Sequence, residues 1–291
     1  MSQSSVRKLI IPVAGIGTRM LPVTKAQPKE MLPVLDKPVI QYIVEEAVKA
    51  GIRDVIFVTG ASKRAIEDHF DRNEALERVC LESNKEEVCR KIKEVAELAN
   101  FIFIRQRGPY GTGTPVLNAK DLIGNEPFAV VWGDEIIKCP EGKAHLKQLI
   151  DVYERYGDPV VTAIDTDDEG TKKYGVVEGV KISDDLYEVK RLLEKPGPAG
   201  TASRVGSIGG YVLTPDVFEI IETMPAVNGR ERYLTDAIDL LIKKRPVYGK
   251  VIEGTQHDTG NKFNWIKTNI EFALEDPEIS QRLKEFLKSV I

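Results

Sequence analysis

The residues best suited to do chemistry in this chain lie close together near its start. The stretch Val13–Met31, VAGIGTRMLPVTKAQPKEM, sets Gly15 and Gly17 ahead of Arg19, Lys25 and Lys29, directly after the apolar run Leu9-Ile10-Ile11. Glycines at such a junction allow positive φ and let backbone amides approach an anion with no Cβ in the way. Pro22 and Pro28 disfavour a helical continuation, so the three cations are expected in an extended wrap able to hold a triphosphate. A Gly-x-Gly pair is equally a common steric turn. The dinucleotide fingerprint needs a third glycine where Met20 stands, and a P-loop needs four residues between its glycines and a Gly-Lys-Ser/Thr ending, so neither pattern is met. Further along, Asp134 follows the apolar run Phe128–Trp132. The carboxyl end of a strand is where open α/β sheets bind ligands, although an acid there also serves as a cap or turn residue.

Such groups need a scaffold. Apolar strand-like runs alternate with amphipathic segments, which predicts an α/β fold with a mixed, mostly parallel, Rossmann-like sheet and helices on both faces. Strands are expected at Lys8–Val13, Asp54–Thr59, Phe101–Arg105, Phe128–Trp132, Val160–Ile164 and Tyr248–Ile252. Helices are expected over Val39–Ala50, closed by Gly51, up to Phe70, and over His145–Tyr156. Val88, Ile92, Val95 and Ala99 recur at helical spacing in an otherwise charged segment and read as one apolar stripe. In Gly111-Thr112-Gly113-Thr114-Pro115, Thr114 reads as a helix N-cap and Pro115 as the first helical residue.

Composition narrows the class. The chain has 291 residues and a formal net charge of −4, with basic residues interspersed among acids, so no basic field for nucleic acid is expected. No apolar run approaches the roughly 20 residues of a membrane helix, and the first residues lack the apolar core of a signal peptide, so a cytoplasmic protein with no membrane partner is expected. Cys80, Cys89 and Cys139 stand apart with no CxxC pattern, which suggests free thiols rather than a disulfide or zinc framework. His69, His145 and His257 do not cluster and are read as structural.

The phrases Gly15-Ile16-Gly17-Thr18-Arg19 and Leu21-Pro22-Val23-Thr24-Lys25-Ala26-Gln27-Pro28-Lys29-Glu30-Met31, with Lys63-Arg64-Ala65-Ile66-Glu67-Asp68-His69-Phe70, resemble the nucleotidyltransferases of sugar-nucleotide synthesis. Among these the chain is most similar to the bacterial-type branch that joins UTP to glucose 1-phosphate. The resemblance implies a nucleotide-diphospho-sugar transferase fold, one domain over 1–291. Nucleotide would bind in about 1–135 and sugar in about 136–262, with C-terminal helices over 263–291. It implies nucleotide contacts from Ala14, Gly15, Gly17, Thr18, Gln106 and Gly111, phosphate-handling cations Arg19, Lys29 and Lys195, and sugar contacts from Gly175, Glu194, Lys195 and Val205. It also implies Mg²⁺ on Asp134 and Asp258, with Glu135 not a ligand, and a homodimer or homotetramer whose C-terminal helices carry Leu283, Phe286 and Leu287 on one stripe.

The same resemblance marks departures. Thr114 stands where the family has histidine, Gly210 where it has arginine, and Tyr233 where it has glutamine. Tyr233 resembles the branch using N-acetylglucosamine 1-phosphate, which makes that sugar the first alternative. A silent nucleotide-sugar sensor is the second.

Overall fold

The computed structural model describes residues 5–226 and 231–290. Among them, a nine-stranded sheet runs in the order Asn100–Arg105, Asp54–Thr59, Lys8–Pro12, Phe128–Val130, Val205–Leu213, Val160–Asp165, Tyr248–Val251, Leu186–Leu193 and Gly175–Ser183. Alternation of side chains across the pleat explains why it is covered twice. Leu9 and Ile11 pack with helix Val39–Lys49 and with Leu146, Leu149 and Ile150 on one face. Ile10 packs on the other face with Val116, Phe218 and Ile238. Helices therefore lie on both faces, as the alternating pattern predicted.

The expected mostly parallel sheet needs correction. The first four strands in that order are parallel. Beyond them Val205–Leu213 runs antiparallel to Phe128–Val130, Val160–Asp165 and Gly175–Ser183, and Gly175–Ser183 forms an antiparallel hairpin with Leu186–Leu193, while Tyr248–Val251 keeps a parallel pairing with Val160–Asp165. A two-residue connection can only join antiparallel strands, whereas parallel pairing needs a crossover of a dozen or more residues. The sheet is mixed because its first half is built from helical crossovers and its second half contains a hairpin.

Chain order reverses beside Lys8–Pro12, since the path leads outward to Asp54–Thr59 and Asn100–Arg105 and then returns to Phe128–Val130 on the other side. Such a reversal opens a crevice at the carboxyl ends of the strands. The charged segment forms two helices, Glu74–Glu82 and Glu86–Ala96; of the expected stripe Ile92, Val95 and Ala99 are partly buried, the last two against the core, whereas Val88 points to solvent and its neighbour Cys89 is buried in its place. Cys80, Cys89 and Cys139 are free thiols. No helix among the described residues is long and apolar enough to cross a membrane.

His145, at the start of helix His145–Tyr156, is a buried packing residue. Thr162 Oγ1 donates to the Gly210 carbonyl at 2.7 Å, so the 2.7 Å contact between His145 Nε2 and Thr162 Oγ1 makes the imidazole the donor there. Burial holds His145 down at about 4 against an ordinary 6.5. A depressed folded value means that the unfolded chain takes the proton first. The stabilisation is complete above pH 6.5 and is lost as the pH falls toward 4. Between pH 6.5 and 4 the urea midpoint of the wild-type protein should fall relative to that of His145→Asn; a difference that does not change with pH would take His145 out of the pH dependence.

Candidate active site

The crevice is a cleft of about 1530 Å³. Ala14, Gly15, Gly17, Thr18, Arg19 and Lys29 line it from the first loop, Gln106 and Gly111 from the loop after Asn100–Arg105, and Asp134, Lys195 and Asp258 from later segments. Of the residues singled out in sequence, Gly175, Glu194 and Val205 do not line it. Gly175 and Val205 are buried in paired strands, and Glu194 is exposed with its carboxylate 3.0 Å from Lys195 Nζ.

The first loop is more ordered than an extended wrap. It is a series of single 3₁₀ turns, Thr18–Met20, Val23–Lys25 and Lys29–Met31. The prolines stop a continuous helix but leave isolated turns possible. Gly17 has φ of 75°, and Thr24 Oγ1 donates to its carbonyl at 2.7 Å; Gly15 needs no positive φ. Lys25 is exposed outside the cleft, whereas Lys29 turns in and its ammonium meets Asp134 Oδ2 at 2.6 Å. Burial works to lower the Lys29 pKa, but Asp134 and Glu30 outweigh it and hold the ammonium above the ordinary lysine value. Behind the loop, Glu30 and Lys63 form an ion pair at 2.7 Å with exposures of only 1% and 4%.

Asp134 and Asp258 are 124 residues apart in sequence, and a short ribbon brings them together. Thr255–Asp258 pairs antiparallel with Glu135–Lys138 in a register that sets Asp258 opposite Glu135, and Thr259 N and Oγ1 both donate to the Asp134 carbonyl, at 3.1 and 2.9 Å. A methyl group built on Gly260 would lie 2.9 Å from Asp258 Oδ1, 3.2 Å from Asp134 Oδ2 and 3.4 Å from Arg19 Nη2, so these groups border one small space. Two carboxylate oxygens facing a common space fit a hard divalent cation. Among the described residues no group of three or more His, Cys, Asp or Glu side chains is placed to hold a metal. The protein thus offers part of a shell, which suits an ion that keeps waters and phosphate oxygens. Glu135 is turned to the Gly209 amide, which donates to its Oε2 at 3.2 Å, and burial, reinforced by Asp134 and Asp258, pushes its carboxyl up to about 8.

Lys195, which also lines the cleft, has φ of 44°, a left-handed conformation rare outside glycine and concentrated at functional sites. The absence of a cation at position 210 has a packing cause. Gly210 has φ of 119°, and a Cβ there would come 2.3 Å from His145 Cε1, so the buried imidazole occupies the room that a side chain would need.

Two expectations about the second glycine-rich loop change. Thr114 is not the N-cap, because helix Gly113–Asn118 begins one residue before it, and its buried hydroxyl has no partner. Thr112 precedes that helix and accepts from Leu234 N at 2.9 Å, while Gly113 N donates to the Arg232 carbonyl at 2.8 Å. The helix start is thus held by the segment that leads into helix Leu234–Ile242 rather than by its own cap. The Glu231–Leu234 segment packs here, against the second glycine-rich loop. A Cβ on Gly111 would meet Arg232 O at 2.3 Å, and Tyr233 bonds the Glu231 carboxylate without lining the cleft. Sequence reasoning missed Ser62, Trp132, Tyr174, Asn264 and Lys267, which also line it. Ser62 follows a strand end and could have been found by that rule. Asn264 and Lys267 sit on helix Lys262–Glu275, and no local signal points that helix at the cleft.

A crevice at strand ends with a cationic glycine loop and a facing pair of carboxylates is the equipment of an α/β protein that handles nucleotide phosphates. The chain belongs to the nucleotidyl transferase family, whose model matches residues 8–273. It is 47% identical over 285 residues, 98% of both chains, to a UTP–glucose-1-phosphate uridylyltransferase of Staphylococcus epidermidis, and 45% identical with the same coverage to that of Staphylococcus haemolyticus. Among solved structures it is similar to a UDP-glucose pyrophosphorylase complexed with UDP-glucose (36% identity, TM-score 0.85, covering 93% of this chain and 100% of the other). It is also similar to a UTP-bound UGPase from Acinetobacter baumannii (32% identity, TM-score 0.91, covering 98% and 100%).

Proposed function

We propose that this chain transfers a uridylyl group from UTP to glucose 1-phosphate, giving UDP-glucose and pyrophosphate. The reading is supported by the activity that its relatives are named for, and the observation that carries it is the convergence of Asp134, Asp258 and Arg19 beside Gly260 in the cleft that Lys195 also enters. A phosphate monoester is already a nucleophile, so the work is to overcome repulsion between two anions and to stabilise charge on the phosphorus in flight. Arg19 holds the leaving β- and γ-phosphates, and Lys29 attends the α-phosphate beside the amides of Ala14, Gly15, Gly17 and Thr18. Gln106 and Gly111 read the base, where a carboxamide can match the carbonyl and N–H edge of uracil. On the sugar side we assign Gly175, Glu194, Lys195 and Val205, of which Lys195 reaches the cleft itself. Mg²⁺, when held by Asp134 and Asp258, would supply charge neutralisation at the phosphates. The chain would act in the cytoplasm, with residues up to about 135 serving the nucleotide and 136–262 the sugar.

Pyrophosphate release over a matrix of four triphosphates and several sugar 1-phosphates, with and without Mg²⁺, tests the reading. Turnover confined to N-acetylglucosamine 1-phosphate would replace the sugar, and no turnover with any pair would favour a sensor. Lys195→Ala removes a charge-assisted phosphate contact of about 1.5–3 kcal/mol, so KM for the sugar phosphate should rise by about 10–100-fold. KM for UTP should move much less; equal effects on both would count against the role. We also propose a homodimer or homotetramer. Phe263, Ile266 and Phe286 are exposed on the C-terminal helices, and light scattering at micromolar concentration would expose a monomer.

A further inference from the structure

We propose that Lys29 is an internal counter-ion that closes Asp134 to a free divalent cation, and that a phosphate group arriving on the Gly15–Gly17 loop opens it. The inference rests on reading Asp134 and Asp258 as the cation site. The Asp134 oxygen that faces the space shared with Asp258 and Arg19 is Oδ2, and the same oxygen receives the Lys29 ammonium at 2.6 Å. Asp258 is held differently. Its Oδ1 accepts from Gly260 N at 2.8 Å and its Oδ2 from Asn264 Nδ2 at 3.2 Å. Neutral donors orient a carboxylate and leave its charge available to a metal, whereas an ammonium cancels that charge.

A divalent ion and an ammonium on one carboxylate oxygen would repel each other in a place where water screens little, since Lys29 and Asp134 are 20% and 16% exposed. Among the described residues Arg19 makes no ion pair with either acid, so Lys29 is the charge that has to move. Its destination is adjacent. A methyl group built on Gly15 would sit 3.9 Å from Lys29 Cε and 4.0 Å from Nζ, so the ammonium already lies beside the loop where a phosphate would rest. Rotation of the four-carbon stem transfers the charge from carboxylate to phosphate. Cation and triphosphate then bind interdependently, each tightening the other by the same factor.

The test is Mn²⁺ binding, followed by the electron paramagnetic resonance of the free ion, with and without α,β-methylene-UTP and corrected for Mn²⁺ held by the analogue in solution. The analogue should tighten Mn²⁺ on the wild-type protein. Without analogue, Lys29→Met should bind Mn²⁺ about tenfold more tightly than wild type and respond less to the analogue, while Lys29→Arg, which keeps the charge, should show no tightening. An analogue without effect on the wild-type protein, or a Lys29→Met protein that binds Mn²⁺ no more tightly, overturns the proposal. Asp258→Asn separates the two levels. If it binds Mn²⁺ as wild type does, the cation site is misplaced; if it loses Mn²⁺ while Lys29→Met changes nothing, only the counter-ion role fails.

Discussion

Asp258→Asn is expected to slow pyrophosphate release at saturating substrates by about 10²–10⁴-fold, the rate equivalent of losing several kcal/mol of charge stabilisation by a metal. The substitution is close to isosteric. Its side-chain oxygen can still accept from the Gly260 amide, the bond made now at 2.8 Å, so the turn into the C-terminal helix should survive. What is lost is one of two negative charges facing the space beside Gly260. The effect should therefore appear in kcat with an unchanged circular dichroism spectrum, and raising Mg²⁺ should recover part of it. A loss smaller than tenfold at ordinary Mg²⁺ would show that Asp258 is not part of the reacting centre. The same substitution at Asp134 mixes two effects, because it also removes the partner of Lys29.

The second large effect concerns stability. Lys63→Met should lower the unfolding free energy by about 3–5 kcal/mol, because it strands the Glu30 carboxylate in a site where burial already raises its pKa in spite of Lys63. Glu30 also has an oxygen, Oε1, that is buried without a partner, so the environment offers no replacement donor. For a carboxyl with a raised folded pKa, stability is greatest when the group is protonated and falls as the pH rises through the folded value. Removing Lys63 raises that value further. The variant should therefore be least stable at alkaline pH and recover at acid pH, and Glu30→Gln added to Lys63→Met should restore part of the loss. Urea titrations of both single variants and the double would decide; strictly additive losses would mean that the two side chains do not interact. Because Glu30 adjoins Lys29 and Lys63 follows the cleft-lining Gly60-Ala61-Ser62, the pair also ties two walls of the cleft together.

Much of the frame was legible in the chain itself. The run Leu9-Ile10-Ile11 alternates faces in a doubly covered strand, helix His145–Tyr156 has the predicted limits, and the strand Asp54–Thr59 begins and ends where its apolar run does. These are local decisions, made by side-chain period and by glycine or proline at the ends. The loop Val13–Met31 was likewise visible as a cation-rich turn at a strand end, though not its division into three turns, which depends on where each proline leaves an amide free to bond.

What the sequence alone determined is the inventory: a glycine loop with Arg19 and Lys29, acids after strands, and Lys195 beside Glu194. Local patterns reach only a few residues along the chain, so they could not say which of these groups meet. Tertiary structure decided that Asp258 lies beside Asp134, because the pairing of Thr255–Asp258 with Glu135–Lys138 is set by strand register across 120 residues. It also decided that Tyr233 belongs to a segment bracing the second glycine-rich loop, and that His145 leaves no room for a side chain at Gly210. Both follow from close packing, in which the space open to one residue is set by neighbours distant in sequence.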